Sequence, residues 1–153
     1  MSVIFRGADA SDLPDVVRLL ADDRFSGARE QAIDPLPAGY ARGFEAMRAQ
    51  GGRLILAVEG GAVVGCLQLH ILHGVSSRGQ SVAQIEGVRV DSARRGHGIG
   101  AAMVRHVIGL ARQAGCGTVQ LTSNRARVDA QRFYGTLGFV SSHVGMKLAL
   151  PKE

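Results

Sequence analysis

One segment limits the possible folds more than any other: a predicted strand that runs through a glycine-rich turn directly into a predicted helix. Residues 88–101 read VRVDSARRGHGIGA, so three glycines alternate with other residues at the turn. Glycine has no side chain to keep a ligand away from the backbone. A helix N-terminus presents unpaired N–H groups and about half a positive charge. The sequence therefore predicts an anion site at this turn, best suited to phosphate.

The elements on either side of the turn predict an α/β (α+β) fold. Short apolar runs favour strands, and apolar residues at helical spacing favour helices. Strands are predicted at 3–5, 54–58, 62–71, 83–90, 118–122 and 139–150, and helices at 11–20, 40–50, 98–114 and 128–137. The order β-α-α-β-β-β-α-β-α-β indicates a mixed sheet with helices on its faces. A chain of 153 residues suggests one domain, 1–153.

Composition excludes several classes of protein. Hydrophobic residues make up 46% and charged residues 20%, as in an ordinary globular protein. No apolar run is long enough for a membrane span, and the N-terminus lacks a signal peptide's apolar core, so a cytoplasmic location is expected. Cys66 and Cys116 form no C-x-x-C pair, which argues against a metal site or a disulfide framework. The net charge of +5 is scattered, with no aromatic-interleaved basic stripe, so nucleic acid is not the favoured partner.

The glycine turn has three possible explanations from its residues alone. It could simply cap a helix, although one glycine would suffice for that. It could belong to a dinucleotide-binding fold, because Gly96–Ala101 fits G-x-G-x-x-A. That fingerprint belongs to a first βα turn, whereas four strands precede this one, and Gln120 and Leu121 stand where a ribose-binding acid is expected. The third explanation is coenzyme A.

Two motifs support the third explanation. Arg95-Gly96-His97-Gly98-Ile99-Gly100 matches the [RQ]-x-x-G-x-[GA] signature of the GNAT (Gcn5-related) N-acetyltransferase superfamily. The segment from Asn124 to Phe139 is similar to that superfamily's second signature, N-x-x-A-x-x-F-Y-x-x-x-G-F, with a longer spacing between Asn124 and Ala130. The chain therefore resembles this superfamily, with a good match over 84–140. The resemblance implies a mixed, mostly antiparallel sheet of six to seven strands, flanked by about four helices.

The resemblance also implies acetyl-CoA as co-substrate, no metal, and a set of residues around the cofactor. Main-chain groups near Val88 would bind the thioester oxygen, and the turn would hold the diphosphate. The full set implied is Val88, Arg89, Val90, Arg95, Gly96, His97, Gly98, Ile99, Gly100, Ala101, Asn124 and Arg127. Asn124 could equally cap a helix.

Acetyl transfer to an amine needs a base, because an alkylamine is mostly protonated at neutral pH. Glu86 is the expected base, on a strand face shared with Val88 and Val90 that should be partly buried. Gly87 permits a bulge that would separate this strand from the next. Tyr134 matches the family's tyrosine and is the expected general acid for the departing thiolate. A solvated Glu86 and a merely packing Tyr134 are the plain alternatives.

Other nucleophiles, bases and functions are less favoured. His70 could replace Glu86, but His70 and His73 point to opposite faces of a strand and do not suggest a metal. No Cys-His-Asn/Asp arrangement supports Cys66 as a nucleophile, so direct attack in a ternary complex is expected. The alternative function is a non-catalytic domain that binds acyl-CoA. The acceptor is expected to be a small-molecule or peptide amine, and the resemblance implies that 25–39, 74–80 and 141–143 shape its site. A homodimer through the last strands is compatible with the sequence.

Overall fold

The computed structural model describes residues 2–152. Contacts between residues divide the chain into two compact units, Met1–Leu121 and Thr122–Glu153, which are described in turn. Within residues 2–152, every helix is too short or too polar to cross a lipid bilayer.

A five-stranded mixed sheet forms the centre of the first unit. Its strands are β1 (Val3–Gly7), β2 (Arg53–Glu59), β3 (Ala62–Leu72), β4 (Val82–Val90) and β5 (Thr118–Gln120), in the order β1-β2-β3-β4-β5. The first four strands pair antiparallel, and β5 pairs parallel with β4. The predicted mixed, mostly antiparallel sheet is confirmed, with five strands in place of six to seven.

Four helices of nine residues or more correspond to the four that the sequence predicts. They are α1 (Leu13–Ala21), α2 (Ala38–Ala49), α4 (Ile99–Gln113) and, in the second unit, α5 (Val128–Thr136). Between β3 and β4 the short element α3 (Ser76–Gly79) replaces a predicted loop. Ser77 and Arg78 have positive φ angles of 51° and 62° there, so this is one turn of unusual backbone and not a regular helix.

Helices cover both faces of the central strands of the sheet in the first unit. On one face, apolar side chains of α1 and α2 pack against β2 and β3 in a cluster that includes Leu13, Val16, Leu19, Phe44, Met47, Leu54, Leu56, Val58, Val63 and Cys66. On the other face lies α4, whose Met103, Val104 and Val107 are fully buried. His106 of α4 stacks on Phe5 of β1, with ring centroids 4.8 Å apart. Double-sided burial explains why 54–58 reads as an unbroken apolar run.

The second unit contains α5 followed by an irregular segment. Gly138, with a φ of 96°, follows the end of α5. The predicted strand at 139–150 is wrong, because the described residues after Gly138 form no strand. The segment has the alternating pattern of a strand, and its apolar side chains at Val140, Val144, Met146, Leu148 and Leu150 are exposed. An alternating pattern does not by itself make a strand, because the backbone of a strand needs a neighbouring strand as its hydrogen-bond partner. The described residues of the second unit contain no strand that could serve as that partner.

Candidate active site

A β-bulge interrupts β4 at Gly87. The pairing of β4 with β3 shifts between Cys66, opposite Arg89, and Gln68, opposite Glu86, so that Gly87 and Val88 together face Leu67. Gly87 has a φ of 62°, in the left-handed region that glycine adopts most readily. The bulge predicted from Gly87 is therefore confirmed.

The bulge changes which side chains share a face of the sheet. Directly paired residues of neighbouring strands point to the same face, so Glu86 and Arg89 lie on the face of Gln68 and Cys66. Val90 is paired with Gly65 and lies on the opposite face. The expectation that Glu86 shares a face with Val90 is wrong, because one extra residue reverses the alternation. Glu86 is also exposed, where partial burial was expected.

Beyond the bulge, the main chain of β4 has no partner on β5. The N–H of Asp91 donates to the carbonyl of Val64 at 2.8 Å, so Asp91 faces β3 and the preceding Val90 faces away from it. On that side, β5 pairs only with Val82–Gln84. The Val90 carbonyl accepts a hydrogen bond from Nε of Arg95 at 3.1 Å. Within the first unit, the end of β4 therefore has an edge that β5 leaves unpaired.

The glycine turn links this edge to the N-terminus of α4. Gly96 and Gly98 both have φ near 80°, and Gly98 is the N-cap of α4. A Cβ atom added at either glycine would meet no described atom within 4 Å. The Ala102 N–H donates to the carbonyl of Gly98, the N-cap, at 3.0 Å. The amides before Ala102 therefore have no hydrogen-bond acceptor within α4. The predicted strand–turn–helix arrangement is confirmed.

Ion pairs hold the turn against β2 and α1. Arg94 makes two hydrogen bonds with the Glu59 carboxylate, at 2.7 and 2.8 Å. Arg95 donates to the Asp22 carbonyl at 3.0 Å. Bonds from the Ala93 N–H and from Arg18 lower the pKa of Asp91 below its ordinary value. The two arginines therefore fix the shape of the turn, a role that their position in the sequence did not reveal.

Five polar side chains form a band on the face of the sheet that carries Glu86. The register places Gln68 opposite Glu86, His70 opposite Gln84, and Gln84 beside Gln120 of β5. Gln120 Nε2 donates to Gln84 Oε1 at 2.7 Å. This polar band (Gln68, His70, Gln84, Glu86 and Gln120) contains three glutamines that sequence reasoning missed. The sequence signal that could have revealed them is the alternation of polar and apolar residues in 66–70 and 83–86, which places the polar side chains of each strand on one face.

Cys66 is an unsuitable nucleophile. Its side chain is 1% exposed, and burial raises the pKa of its thiol to about 12. At neutral pH the thiol is therefore protonated and shielded from solvent, and only the thiolate attacks. Its Sγ lies 3.8 Å from the Gly87 carbonyl oxygen, so Cys66 supports the bulge.

The two cysteines should differ in reactivity. Because Cys66 is buried and Cys116 is partly exposed, we expect a thiol reagent at pH 8 to modify one thiol per native chain and both after denaturation. Intact mass after brief labelling measures this, and Cys116→Ser should abolish native labelling. Rapid modification of Cys66 in the native protein would contradict the assigned burial.

The remaining predicted residues lie in the second unit. Asn124 Oδ1 accepts from the Ala126 N–H at 2.9 Å, which makes a turn before α5. The Arg127 N–H donates to the Asn124 carbonyl, also at 2.9 Å. Tyr134 packs edge-on against Phe133 and Phe139, with ring centroids 5.1 and 5.7 Å apart. The cluster fixes the tyrosine ring within its unit.

The described part of the chain contains no cluster of side chains suited to binding a metal ion. Residues 2–152 contain no group of three or more His, Cys, Asp or Glu side chains placed to hold a metal ion.

Comparison with known proteins identifies the class that these features define. The model of the acetyltransferase (GNAT) family matches residues 14–139. The chain belongs to this family. The match spans the bulged strand, the glycine turn and α5.

Three known proteins show the extent of the similarity. Glucosamine 6-phosphate N-acetyltransferase of Trypanosoma brucei brucei is 34% identical over 90 residues, covering 59% of this chain and 59% of that protein. Aminoalkylphosphonate N-acetyltransferase of Salmonella typhimurium is 35% identical over 98 residues, covering 62% and 61%. The chain thus matches about three fifths of these curated relatives. A crystal structure described as a transcriptional regulator from Bacillus halodurans C-125 is 41% identical, with a TM-score of 0.94, covering 97% of this chain and 100% of that one.

Proposed function

We propose that this protein is an acetyl-CoA-dependent N-acetyltransferase that acetylates a small polar primary amine by direct attack in a ternary complex. The observation that carries the proposal lies within the first unit: the bulge at Gly87 is followed by the edge of β4 that β5 leaves unpaired and then by the glycine turn at the N-terminus of α4. An extended chain that ends in a diphosphate fits this arrangement, since an open strand edge binds extended chains and a helix N-terminus binds anions.

The residues of the turn fit the diphosphate of acetyl-CoA. Space beside Gly96 and Gly98 leaves the main chain open to phosphate oxygens. Amides of 95–101 would bind the diphosphate, and those of Val88 and Val90 the pantetheine arm and thioester oxygen. One such N–H bond to the developing oxyanion is worth about 3 kcal/mol. Asn124 and Arg127 are proposed further contacts on the strength of the sequence signature alone.

Glu86 and Tyr134 are the proposed proton carriers. Acetyl-CoA supplies the activated acetyl group. Glu86, directly or through a water molecule, removes a proton from the attacking amine nitrogen. Tyr134 donates its phenolic proton to the thiolate sulfur that leaves when the C–S bond breaks. The buried thiol of Cys66 supports direct attack rather than a covalent acyl-enzyme.

The polar band around Glu86 supports a polar acceptor. Three neutral amides and one imidazole can hydrogen-bond hydroxyl or phosphoryl oxygens, and the Glu86 carboxylate favours an amine. The names of the two curated relatives also specify small polar amines. We propose the cytoplasm as the location, because acetyl-CoA is available there and thiols such as Cys66 and Cys116 stay reduced.

Thiol release from acetyl-CoA, measured across a panel of amino sugars, aminophosphonates, amino acids and aryl amines, tests the proposal. We expect acceptor-dependent release of CoA with at least one polar amine, and loss of that release in Glu86→Gln. Binding of acetyl-CoA without transfer to any amine would instead favour a non-catalytic acyl-CoA-binding domain. One observation favours this second candidate: the similar protein from Bacillus halodurans is described as a transcriptional regulator.

A further inference from the structure

Arg89 belongs to the set that the family resemblance places around the cofactor, but its side chain is a largely buried cation that no step of the proposed reaction uses. It follows the bulge on β4 and pairs with Cys66, so its side chain lies on the face covered by α1. Only 16% of that side chain is exposed. A buried guanidinium is costly unless it is paired and hydrogen-bonded, so its contacts show what it holds in place.

The contacts of Arg89 join two parts of the candidate site. Nη1 donates to the Val88 carbonyl at 2.9 Å, on the strand proposed to bind the thioester. Nη2 donates to Ser26 Oγ at 3.1 Å and lies 3.5 Å from the Asp23 carboxylate, which is 10% exposed. Asp23 and Ser26 belong to the segment that connects α1 with α2.

That connecting segment is folded tightly around Asp23. The Ser26 N–H donates to the Asp23 carboxylate at 3.0 Å, and the Gly27 N–H donates to the Asp23 carbonyl at 2.7 Å. A Cβ atom at Gly27 would lie 2.2 Å from the Ala21 carbonyl oxygen, so the turn accepts only glycine there. These contacts make 23–29 a compact turn, and Arg89 joins that turn to β4.

We propose that Arg89 is a positioning residue that aligns the amine acceptor with the thioester by tethering segment 23–29 to Val88. The inference rests on the proposed function, in which Val88 binds the donor, and on the family resemblance, which implies that 25–39 contributes to the acceptor site. Each side of the tether should have its own kinetic effect. The Val88 contact should govern turnover, and the Asp23 and Ser26 contacts should govern acceptor affinity.

Two conservative substitutions separate these effects. Asp23→Asn removes the charge but keeps an oxygen for Ser26, and it leaves the Arg89–Val88 bond intact. Arg89→Lys keeps the charge, but an ammonium on a flexible stem cannot span the same acceptors as a guanidinium fork. We expect Asp23→Asn to raise the KM for the acceptor about tenfold with kcat nearly unchanged, as for a loss of uniform binding. Arg89→Lys should also lower kcat about tenfold.

The control is Arg6→Lys, the same substitution at an ion pair of β1. Arg6 bonds both oxygens of the mostly buried Asp12 at 2.8 Å. Its loss should leave all kinetic constants unchanged. Affinity for acetyl-CoA, measured by calorimetry, should stay constant in Asp23→Asn and Arg6→Lys, because neither substitution touches the glycine turn or the Arg89–Val88 bond.

Hydrogen exchange provides a readout that does not depend on activity. Amides of 23–29 should exchange faster in Asp23→Asn and Arg89→Lys than in the wild type or Arg6→Lys. Unchanged exchange, or unchanged KM and kcat in both folded variants, would overturn the inference. Should Arg89→Lys fail to fold, Asp23→Asn alone decides it. A wild-type protein that transfers no acetyl group would defeat the proposed function, while the exchange result would still decide whether the tether exists.

Discussion

Gly98→Val is expected to weaken acetyl-CoA binding at least 100-fold, which corresponds to about 2.7 kcal/mol. The branched side chain would fill the space beside the main chain at the start of α4, where the proposed diphosphate approaches the amides. Valine at a φ of 80° would also be strained by about 1–3 kcal/mol, so some loss of thermal stability is expected as well. Calorimetric titration with acetyl-CoA, together with a thermal melt, measures both effects.

Gly115→Val separates the loss of binding from the strain. Gly115 has a φ of 78° and equally open surroundings, and it lies past the other end of the 15-residue α4, about 22 Å away. We expect it to lower the melting temperature to a similar degree with acetyl-CoA affinity intact. If Gly98→Val binds acetyl-CoA as well as Gly115→Val does, the turn is only a helix cap.

Tyr134→Phe should lower kcat about 100-fold, the contribution typical of a general acid. The aromatic contacts with Phe133 and Phe139 involve the ring and not the hydroxyl, so the ring should keep its place in the second unit. Acetyl-CoA affinity should therefore change by less than about twofold, since no binding contact of the proposed site is lost. Steady-state kinetics at saturating acetyl-CoA measure the turnover.

Tyr40→Phe removes the other tyrosine hydroxyl of the chain. That hydroxyl accepts a hydrogen bond from the Gln31 N–H at 2.8 Å and donates one to Glu30 at 2.7 Å, so its loss should affect stability. Turnover at saturating acceptor should not fall. Equal turnover of Tyr134→Phe and the wild type would remove Tyr134 from the mechanism and leave it a packing residue.

Sequence reasoning succeeded where the determining signals are local. Short apolar runs, helical spacing and glycine punctuation located five of six predicted strands and all four long helices. The glycine turn was predicted in detail because a positive φ and close backbone approach both require glycine, as Gly96 and Gly98 show.

The errors arose where pairing between strands decides the outcome. Gly87 indicated a bulge, but the reversal of faces that moves Glu86 away from Val90 depends on the register with β3. The polar band and the Arg89 tether likewise depend on pairs of residues at least 14 positions apart in the sequence, such as His70 with Gln84 and Arg89 with Ser26. The segment 139–150 failed for the same reason. Its polar and apolar residues alternate as in a strand, but the pattern does not show whether another strand is available to pair with it.

We propose above all that main-chain amides of the glycine turn bind the diphosphate of coenzyme A. Calorimetric titration of the wild-type protein with coenzyme A and, separately, with pantetheine, which lacks the diphosphate, tests it most directly. We expect saturable binding of coenzyme A and binding of pantetheine at least 100-fold weaker, a difference of about 2.7 kcal/mol. No heat with coenzyme A, or equal affinity for both ligands, would contradict the claim.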